Sequence, residues 1–142
     1  MNKLLSHFKE LLVKFIRSGE KSPAPEEAPV RSPSDLKIIA EILKGTLKNN
    51  PQDIKALYAM GGVYIEMHRY GEAIPPLRDL VKLDPGHKSA RLQLGRAQME
   101  MGRDEAALEN LEEAIHLDPK SEVVKRTLCQ VHSNLSTAYG RI

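Results

Sequence analysis

The chain has 142 residues, of which 41% are hydrophobic and 28% charged, and this length and composition suit one domain with a buried core. The net charge of +2 lies entirely within residues 1–34, which hold six basic and four acidic side chains, so residues 35–142 are neutral. A neutral body offers no field of one sign to hold a phosphate backbone, which argues against nucleic acid as a partner. Because aromatic residues are only 4% and tryptophan is absent, the composition favours helices over a large β-sandwich.

The location of the protein is indicated by its cysteine content and its hydropathy. The single cysteine, Cys129, excludes an internal disulfide framework and fits a reducing compartment. No run of apolar residues approaches the roughly 18 that a membrane-spanning helix needs. We therefore expect a cytoplasmic protein, with peripheral attachment to a membrane surface as the alternative.

Residues 1–17 are predicted to form a basic amphipathic helix. Four Lys or Arg side chains against Glu10 give residues 3–17 a charge of +3. The apolar side chains that recur at helical spacing are Leu4, Leu5, Phe8, Leu11, Leu12, Phe15 and Ile16. Residues 18–34 hold four of the nine prolines, which indicates an extended linker that does not join a core.

Three roles for this N-terminal helix are compatible with its sequence. It could pack on the rest of the protein as a capping helix or associate with a second copy. It could lie on a membrane surface, with its apolar face in the headgroup layer and its basic side chains toward anionic lipid. It could also dock into a partner, or into a groove of its own chain, since the linker spans up to about 50 Å at about 3.1 Å per residue.

Residues 51–84 and 85–118 are two copies of one unit. Aligned at an offset of 34 residues, they share ten identities. The identical pairs are Pro51/Pro85, Ala56/Ala90, Gly61/Gly95, Glu66/Glu100, Met67/Met101, Arg69/Arg103, Ala73/Ala107, Leu77/Leu111, Leu83/Leu117 and Asp84/Asp118. Each copy is predicted to form two helices, over about 53–67 and 71–83 in the first copy and about 88–101 and 104–117 in the second.

Glycine and proline residues inside these predicted helices indicate how the helices pack and where one of them begins. Gly61 and Gly95 lie within the first helix of each copy, where glycine costs about 1 kcal/mol relative to alanine. Because this cost occurs at the same position in both copies, we expect one structural reason for both glycines. That reason is a close approach of the two helices of a unit. Pro75 and Pro76 fall inside the second helix of the first copy, and they predict a late or bent helix start near Ala73.

One helix flanks the two copies on each side. Residues 35–50 are predicted to form a half-unit, a helix that begins at Ser34-Asp35 and lacks a first helix before it. Residues 119–140 hold a capping helix over 121–138, which Gly140 is expected to end. In that helix Cys129 stands where the repeat has its glycine, and we expect it to be packed beside an exposed His132.

The period and the motif residues resemble the tetratricopeptide repeat family, whose pattern is W-x2-L-G-x2-Y, then A-x3-F-x2-A, then P. The first copy matches with Leu57, Met60, Gly61, Tyr64, Ala73, Leu77, Leu80 and Pro85. The second copy has Arg91, Leu94, Gly95, Gln98, Ala107, Leu111, Ala114 and Pro119 at the same sites. Arg91 and Gln98 depart from the aromatic positions and are expected to weaken that interhelical contact. The resemblance implies an all-α fold, a short right-handed superhelical array of antiparallel helix pairs over residues 35–140, to which the N-terminal amphipathic helix is tethered.

No group of residues in the sequence points to catalysis, a cofactor or a metal. Glycine-rich phosphate-binding motifs are absent, and the Gly61-Gly62 pair lies inside a predicted helix. Cys129 and His132 have a spacing that two metal ligands could use, but two ligands without a second pair make a poor site. We therefore expect a protein that is not an enzyme and needs no cofactor.

The resemblance implies an adaptor that binds a peptide or an amphipathic helix of a protein partner in a concave groove lined by the first helices. The groove residues implied at matching positions are Lys55, Tyr58, Gly62, Ile65, Leu92, Gln93, Arg96, Met99, Arg126 and Gln130. The alternative is a peripheral membrane platform attached through residues 3–17, and self-association is also compatible with the sequence. Members that clamp a chaperone's C-terminal carboxylates carry Lys, Asn and Arg at positions that here hold Tyr58, Gly62, Gln93, Val123 and Thr127, so that specificity is not expected.

Overall fold

The computed structural model describes residues 32–140, together with residues 9, 10 and 13. Residues 32–140 form six helices, and no strand occurs in that part of the chain. The helices are α1 Pro33–Asn49, α2 Ile54–Glu66, α3 Tyr70–Leu83, α4 Lys88–Glu100, α5 Asp104–Leu117 and α6 Glu122–Tyr139. The predicted helices within this range are therefore confirmed. The helix predicted over residues 3–17 and the linker lie outside the described residues, apart from Lys9, Glu10, Val13 and the linker's last three positions.

The start of α1 lies earlier than the sequence predicts. Ser32, not Ser34, is the cap: its hydroxyl accepts a hydrogen bond from the Asp35 backbone N–H at 3.2 Å. The Asp35 carboxylate in turn accepts from the Ser32 backbone N–H at 3.0 Å. Pro33 occupies the first helical position, where a missing N–H costs nothing.

The first helices α2, α4 and α6 begin with equivalent caps spaced 34 residues apart. The side chains of Asp53, His87 and Ser121 accept from the backbone N–H three residues further on, at 3.1, 3.1 and 3.4 Å. This spacing extends the period of the two copies to α6. The C-terminal helix is therefore equivalent to the first helix of a third unit.

Proline does not delay the second helix of the first unit. We predicted a start near Ala73, but α3 begins at Tyr70 and continues through Pro75 and Pro76. The two prolines remove the donors for the carbonyls of Gly71 and Glu72. Both of these residues are exposed, so water can hydrogen-bond the freed carbonyls.

The six helices pack in sequence, each against the next, and the first helices α2, α4 and α6 also contact one another along the array. They therefore form one layer, with the second helices α1, α3 and α5 behind them. The fully buried side chains between the layers include Leu43, Leu77, Leu80, Leu111 and Val131.

The repeat glycines Gly61 and Gly95 have equivalent surroundings, as the sequence predicts. Each faces the leucine sixteen residues further on, Leu77 or Leu111, from the second helix of its own unit. The third unit has no second helix in the described part of the chain. Cys129, at the equivalent place in α6, is consequently exposed, and the prediction that it would be packed is wrong.

Candidate functional site

The predicted groove residues all lie on the first helices, and none of them is fully buried. We use the term inner face for the surface that these ten residues form on α2, α4 and α6. Lys55, Tyr58, Gly62 and Ile65 come from α2. The α4 helix contributes Leu92, Gln93, Arg96 and Met99, and α6 contributes Arg126 and Gln130.

The apolar residues of the inner face are half-buried in the seams between helices. Ile65 packs against the main core cluster, and Tyr58 packs against the cluster of Leu57, Leu80 and Ala90. Leu92 and Met99 pack against the cluster that contains Leu111 and Val131. These side chains hold the first helices together, and they present only part of their surface to a ligand.

A polar and aromatic contact joins the first two units at the floor of the inner face. The Gln93 side-chain amide donates from Nε2 to the Tyr58 hydroxyl oxygen at 3.2 Å. The Tyr58 ring also lies against the His87 ring, with centroids 5.1 Å apart. The remaining amide oxygen of Gln93, Oε1, is buried and has no hydrogen-bond partner among the described residues.

The fully exposed part of the inner face is polar and charged. Lys55, Arg96, Arg126 and Gln130 are all exposed. The Gln130 side-chain amide donates to Asn134 Oδ1 at 3.1 Å, so it is engaged within its own helix. Within residues 32–140, neither Arg96 nor Arg126 forms a salt bridge or a side-chain hydrogen bond.

The second unit contains a polar network that sequence reasoning missed. Arg91 donates from Nη1 to Asn110 Oδ1 at 3.2 Å, and Asn110 donates from Nδ2 to Gln98 Oε1 at 2.8 Å. Gln98 is only 6% exposed. The signal was present in the alignment at offset 34, where the three polar residues replace three non-polar or aromatic ones, Leu57, Pro76 and Tyr64. Arg91 and Gln98, the two departures from the family pattern, thus form a hydrogen-bonded network with Asn110. This network takes the place of the aromatic contact that the pattern has there.

The far end of the array is fixed by contacts between α5 and α6. Asn134 donates from Nδ2 to Asp104 Oδ1 at 3.2 Å, and the Tyr139 hydroxyl donates to Glu105 Oε1 at 2.7 Å. The latter bond stabilises the ionised carboxylate, so it lowers the pKa of Glu105 and raises the pKa of Tyr139. Both side chains are exposed, so the contact holds the helix end in place without contributing to the core.

The described residues contain no group of three or more His, Cys, Asp or Glu side chains close enough to hold a metal ion. None of the helices in that part of the chain combines the length and the apolar character that crossing a bilayer requires. Cys129 and His132 are both exposed on α6.

These features define a helical-repeat protein whose first helices form a continuous face along the array. The family model for the tetratricopeptide repeat matches residues 64–128. This match confirms the resemblance to the tetratricopeptide repeat family over residues 64–128, and the six helices of residues 32–140 confirm the all-α repeat fold.

Solved structures of MamA and of RPAP3 domains share this fold. The crystal structure of MamA is 25% identical over 72% of this chain and 60% of its own, with a TM-score of 0.71. The first tetratricopeptide domain of human RPAP3, solved by NMR, is 14% identical over 97% of both chains, also with a TM-score of 0.71. The same domain of Spaghetti (RPAP3) is known bound to the HSP90 peptide SRMEEVD, at 14% identity over 93% of both chains. This chain spans 60% and 57% of the length of the two MamA chains that it matches at 25% identity.

Proposed function

We propose that this protein is a non-catalytic adaptor that binds a peptide or helix of a protein partner on its inner face. The observation that carries the proposal is the continuous row of accessible side chains on α2, α4 and α6, in which Arg96 and Arg126 have no partner within residues 32–140. The complex of the RPAP3 domain with an HSP90 peptide supports it, because that domain shares the fold. Stacked helix pairs produce extended concave surfaces, and proteins of this architecture use such surfaces for binding.

The partner segment differs in kind from a chaperone C-terminus. Two positions that would carry clamp residues hold Tyr58 and Gln93, and these two side chains are hydrogen-bonded to each other. A third position is Gly62, which has no side chain. These three positions therefore offer no free amide or ammonium donor to grip a terminal carboxylate, and an internal segment fits the inner face better.

Gly62 provides a direct test of the inner face. A Cβ added at Gly62 would meet only Gln93 Nε2, at 4.0 Å, so a side chain can leave the helix there without entering the core. Gly62→Trp fills the inner face, and Gly45→Trp is the matched control, since a Cβ on Gly45 of α1 meets no atom within 4 Å. Both variants remove a glycine from a helix and add an indole.

The measurement is quantitative affinity capture from the native source with the full chain, followed by mass spectrometry. We expect the set of captured proteins to include some that Gly62→Trp no longer retains and Gly45→Trp retains in full. If both variants retain every protein that the unmodified chain captures, the inner face is not the binding surface. Unchanged thermal unfolding of both variants is the control for folding.

The membrane platform is the second candidate, because the sequence of residues 3–17 combines an apolar stripe with a charge of +3. Co-sedimentation with anionic vesicles compares the full chain with a chain that lacks residues 1–31. That boundary keeps Ser32, which caps α1. Equal sedimentation of the two chains would contradict the membrane role, and loss of sedimentation with the deletion would support it.

A further inference from the structure

We propose that the partner segment bound on the inner face is acidic, and that its Asp or Glu side chains contact Arg96 and Arg126. This inference rests on the proposed function and specifies the chemistry of the partner. It concerns carboxylate side chains within a segment, and it uses two arginines that lie outside the clamp positions described above.

The two arginines lie on neighbouring first helices. Arg96 belongs to α4 and Arg126 to α6, and these two helices contact each other. Leu92 and Met99 of α4 pack against the cluster that contains Val131 of α6. Arg126 is equivalent, at offsets of 34 and 68 residues, to the inner-face residues Leu92 and Tyr58. Both guanidinium groups thus project from one continuous surface.

Two of the other four arginines in residues 32–140 satisfy part of their hydrogen-bonding capacity within the protein, whereas Arg78 and Arg103 form no side-chain hydrogen bond there. Arg69 pairs with Glu72 and lies over the Tyr64 ring, and Arg91 bonds to the Pro85 carbonyl and to Asn110. Arg96 has Glu100 one turn further along α4 on the same face, yet no salt bridge joins the two. A guanidinium presents five donors in a planar fork, and a carboxylate side chain is the partner that best matches this geometry.

The charged residues among the ten that define the inner face, Lys55, Arg96 and Arg126, are all basic. Acidic residues flank it at helix ends: Glu66 and Glu100 are the last residues of α2 and α4, and Glu122, the first residue of α6, pairs with Lys125. Arg96 and Arg126 therefore place positive charge on the part of the face that α4 and α6 form, which attracts an acidic segment.

The same charges disfavour the N-terminal segment of this chain as the occupant. Residues 3–17 carry +3, so they would place positive charge beside Arg96 and Arg126. Like charges in proximity oppose binding and set partner choice. The structure thus favours an acidic segment of another protein over residues 3–17.

The test uses two synthetic peptides as probes against the full chain. One peptide is residues 3–17, and the other is the same sequence with Lys3→Glu, Lys9→Glu, Lys14→Glu and Arg17→Glu, so the two share every apolar residue. We expect the acidic peptide to bind more tightly, by about tenfold in Kd at low salt, measured by fluorescence anisotropy. We also expect the difference to shrink as the salt concentration rises.

Charge reversal on the protein locates the effect. The Arg96→Glu/Arg126→Glu variant should lose the preference for the acidic peptide, whereas Lys37→Glu/Arg78→Glu, the same charge change on the exposed surface of α1 and α3, should keep it. Equal affinity of the two peptides, tighter binding of the basic peptide, no binding of the acidic peptide, or equal behaviour of the two variants would overturn the proposal.

Gly62→Trp separates failure of this inference from failure of the proposed function. If Gly62→Trp blocks the acidic peptide but reversal of Arg96 and Arg126 does not weaken it, the inner face binds and the acidic contact is wrong. If neither change affects the peptide, binding on the inner face is overturned as well.

Discussion

Gly61 of α2 lies so close to Leu77 of α3 that no side chain fits between them. A Cβ built on Gly61 would lie 2.5 Å from both Cγ and Cδ2 of Leu77, which is itself fully buried. The second unit repeats the relationship, because a Cβ built on Gly95 would lie 2.7 Å from Leu111 Cγ. The absence of a side chain thus sets how closely the two helices of each unit approach.

Neighbouring glycines in α2 should respond in opposite directions to alanine. Gly61→Ala must displace Leu77 in a packed core, and we expect a net loss of about 1–2 kcal/mol in the free energy of unfolding. Gly62→Ala meets only Gln93 Nε2 at 4.0 Å, so the better helix propensity of alanine should add about 0.5–1 kcal/mol. Urea unfolding followed by circular dichroism measures both values. A stabilised Gly61→Ala variant would contradict the packing argument.

The turn between α2 and α3 contains a residue with an unfavourable backbone conformation. His68 has a φ of 56°, and the equivalent residue in the second unit is Gly102, with a φ of 74°. Residues other than glycine rarely adopt a positive φ in this left-handed region. His68→Gly should therefore stabilise the protein by up to about 1 kcal/mol, partly offset by loss of the 3.0 Å contact between His68 Nδ1 and the Tyr70 hydroxyl.

The matched control is Gly102→Ala, for which we expect a loss of about 1 kcal/mol, because a Cβ there meets no atom and the backbone alone decides. Thermal unfolding measures both variants. Stabilisation by Gly102→Ala would show that the positive φ carries no cost in this turn.

The sequence predicted the helices and their order because the 34-residue repetition reports directly on packing. Gly61 and Gly95 could be assigned a role from their repetition alone, since one physical reason serves both. The start of α3 was misjudged because the effect of Pro75 and Pro76 depends on which carbonyls face water, and this follows only from the packed structure. The exposure of Cys129 depends in the same way on a neighbouring helix.

The sequence predicted which residues form the inner face, but it did not predict how far each side chain is buried or what it contacts. The family pattern located Leu92 and Met99 on it, but it did not reveal that both pack against the buried cluster of Ala107, Leu111 and Val131. A charge at Leu92 would therefore test folding as much as binding, which is why exposed Arg96 and Gly62 are the better test positions. Hydrogen bonds such as the one between Gln93 and Tyr58 join residues 35 positions apart, and they follow only from the three-dimensional arrangement.

The network of Arg91, Asn110 and Gln98 should show strong coupling between its members. Asn110→Leu leaves the amide of buried Gln98 without a partner, so we expect a loss of about 1–3 kcal/mol in the free energy of unfolding. Adding Gln98→Leu removes the orphaned group, so the double variant should lose less than the sum of the two single changes. Denaturant unfolding of the three variants gives the coupling, and strict additivity would show that the bond contributes nothing to stability.

The bond between Glu105 and Tyr139 predicts how stability depends on pH at the end of the array. Because the folded state lowers the pKa of Glu105, its contribution is present above the unfolded pKa and is lost as the pH falls through the folded pKa. The folded state raises the pKa of Tyr139, so the contribution of that group is present below its unfolded pKa and is lost as the pH rises through the folded one. In Tyr139→Phe the carboxylate loses its donor, and NMR titration should show the pKa of Glu105 moving up toward the ordinary range of a glutamate. Glu105→Gln should correspondingly let the pKa of Tyr139 fall toward that of a free tyrosine. An unchanged Glu105 titration in Tyr139→Phe would mean that the hydrogen bond does not hold the end of α6 to α5 in solution.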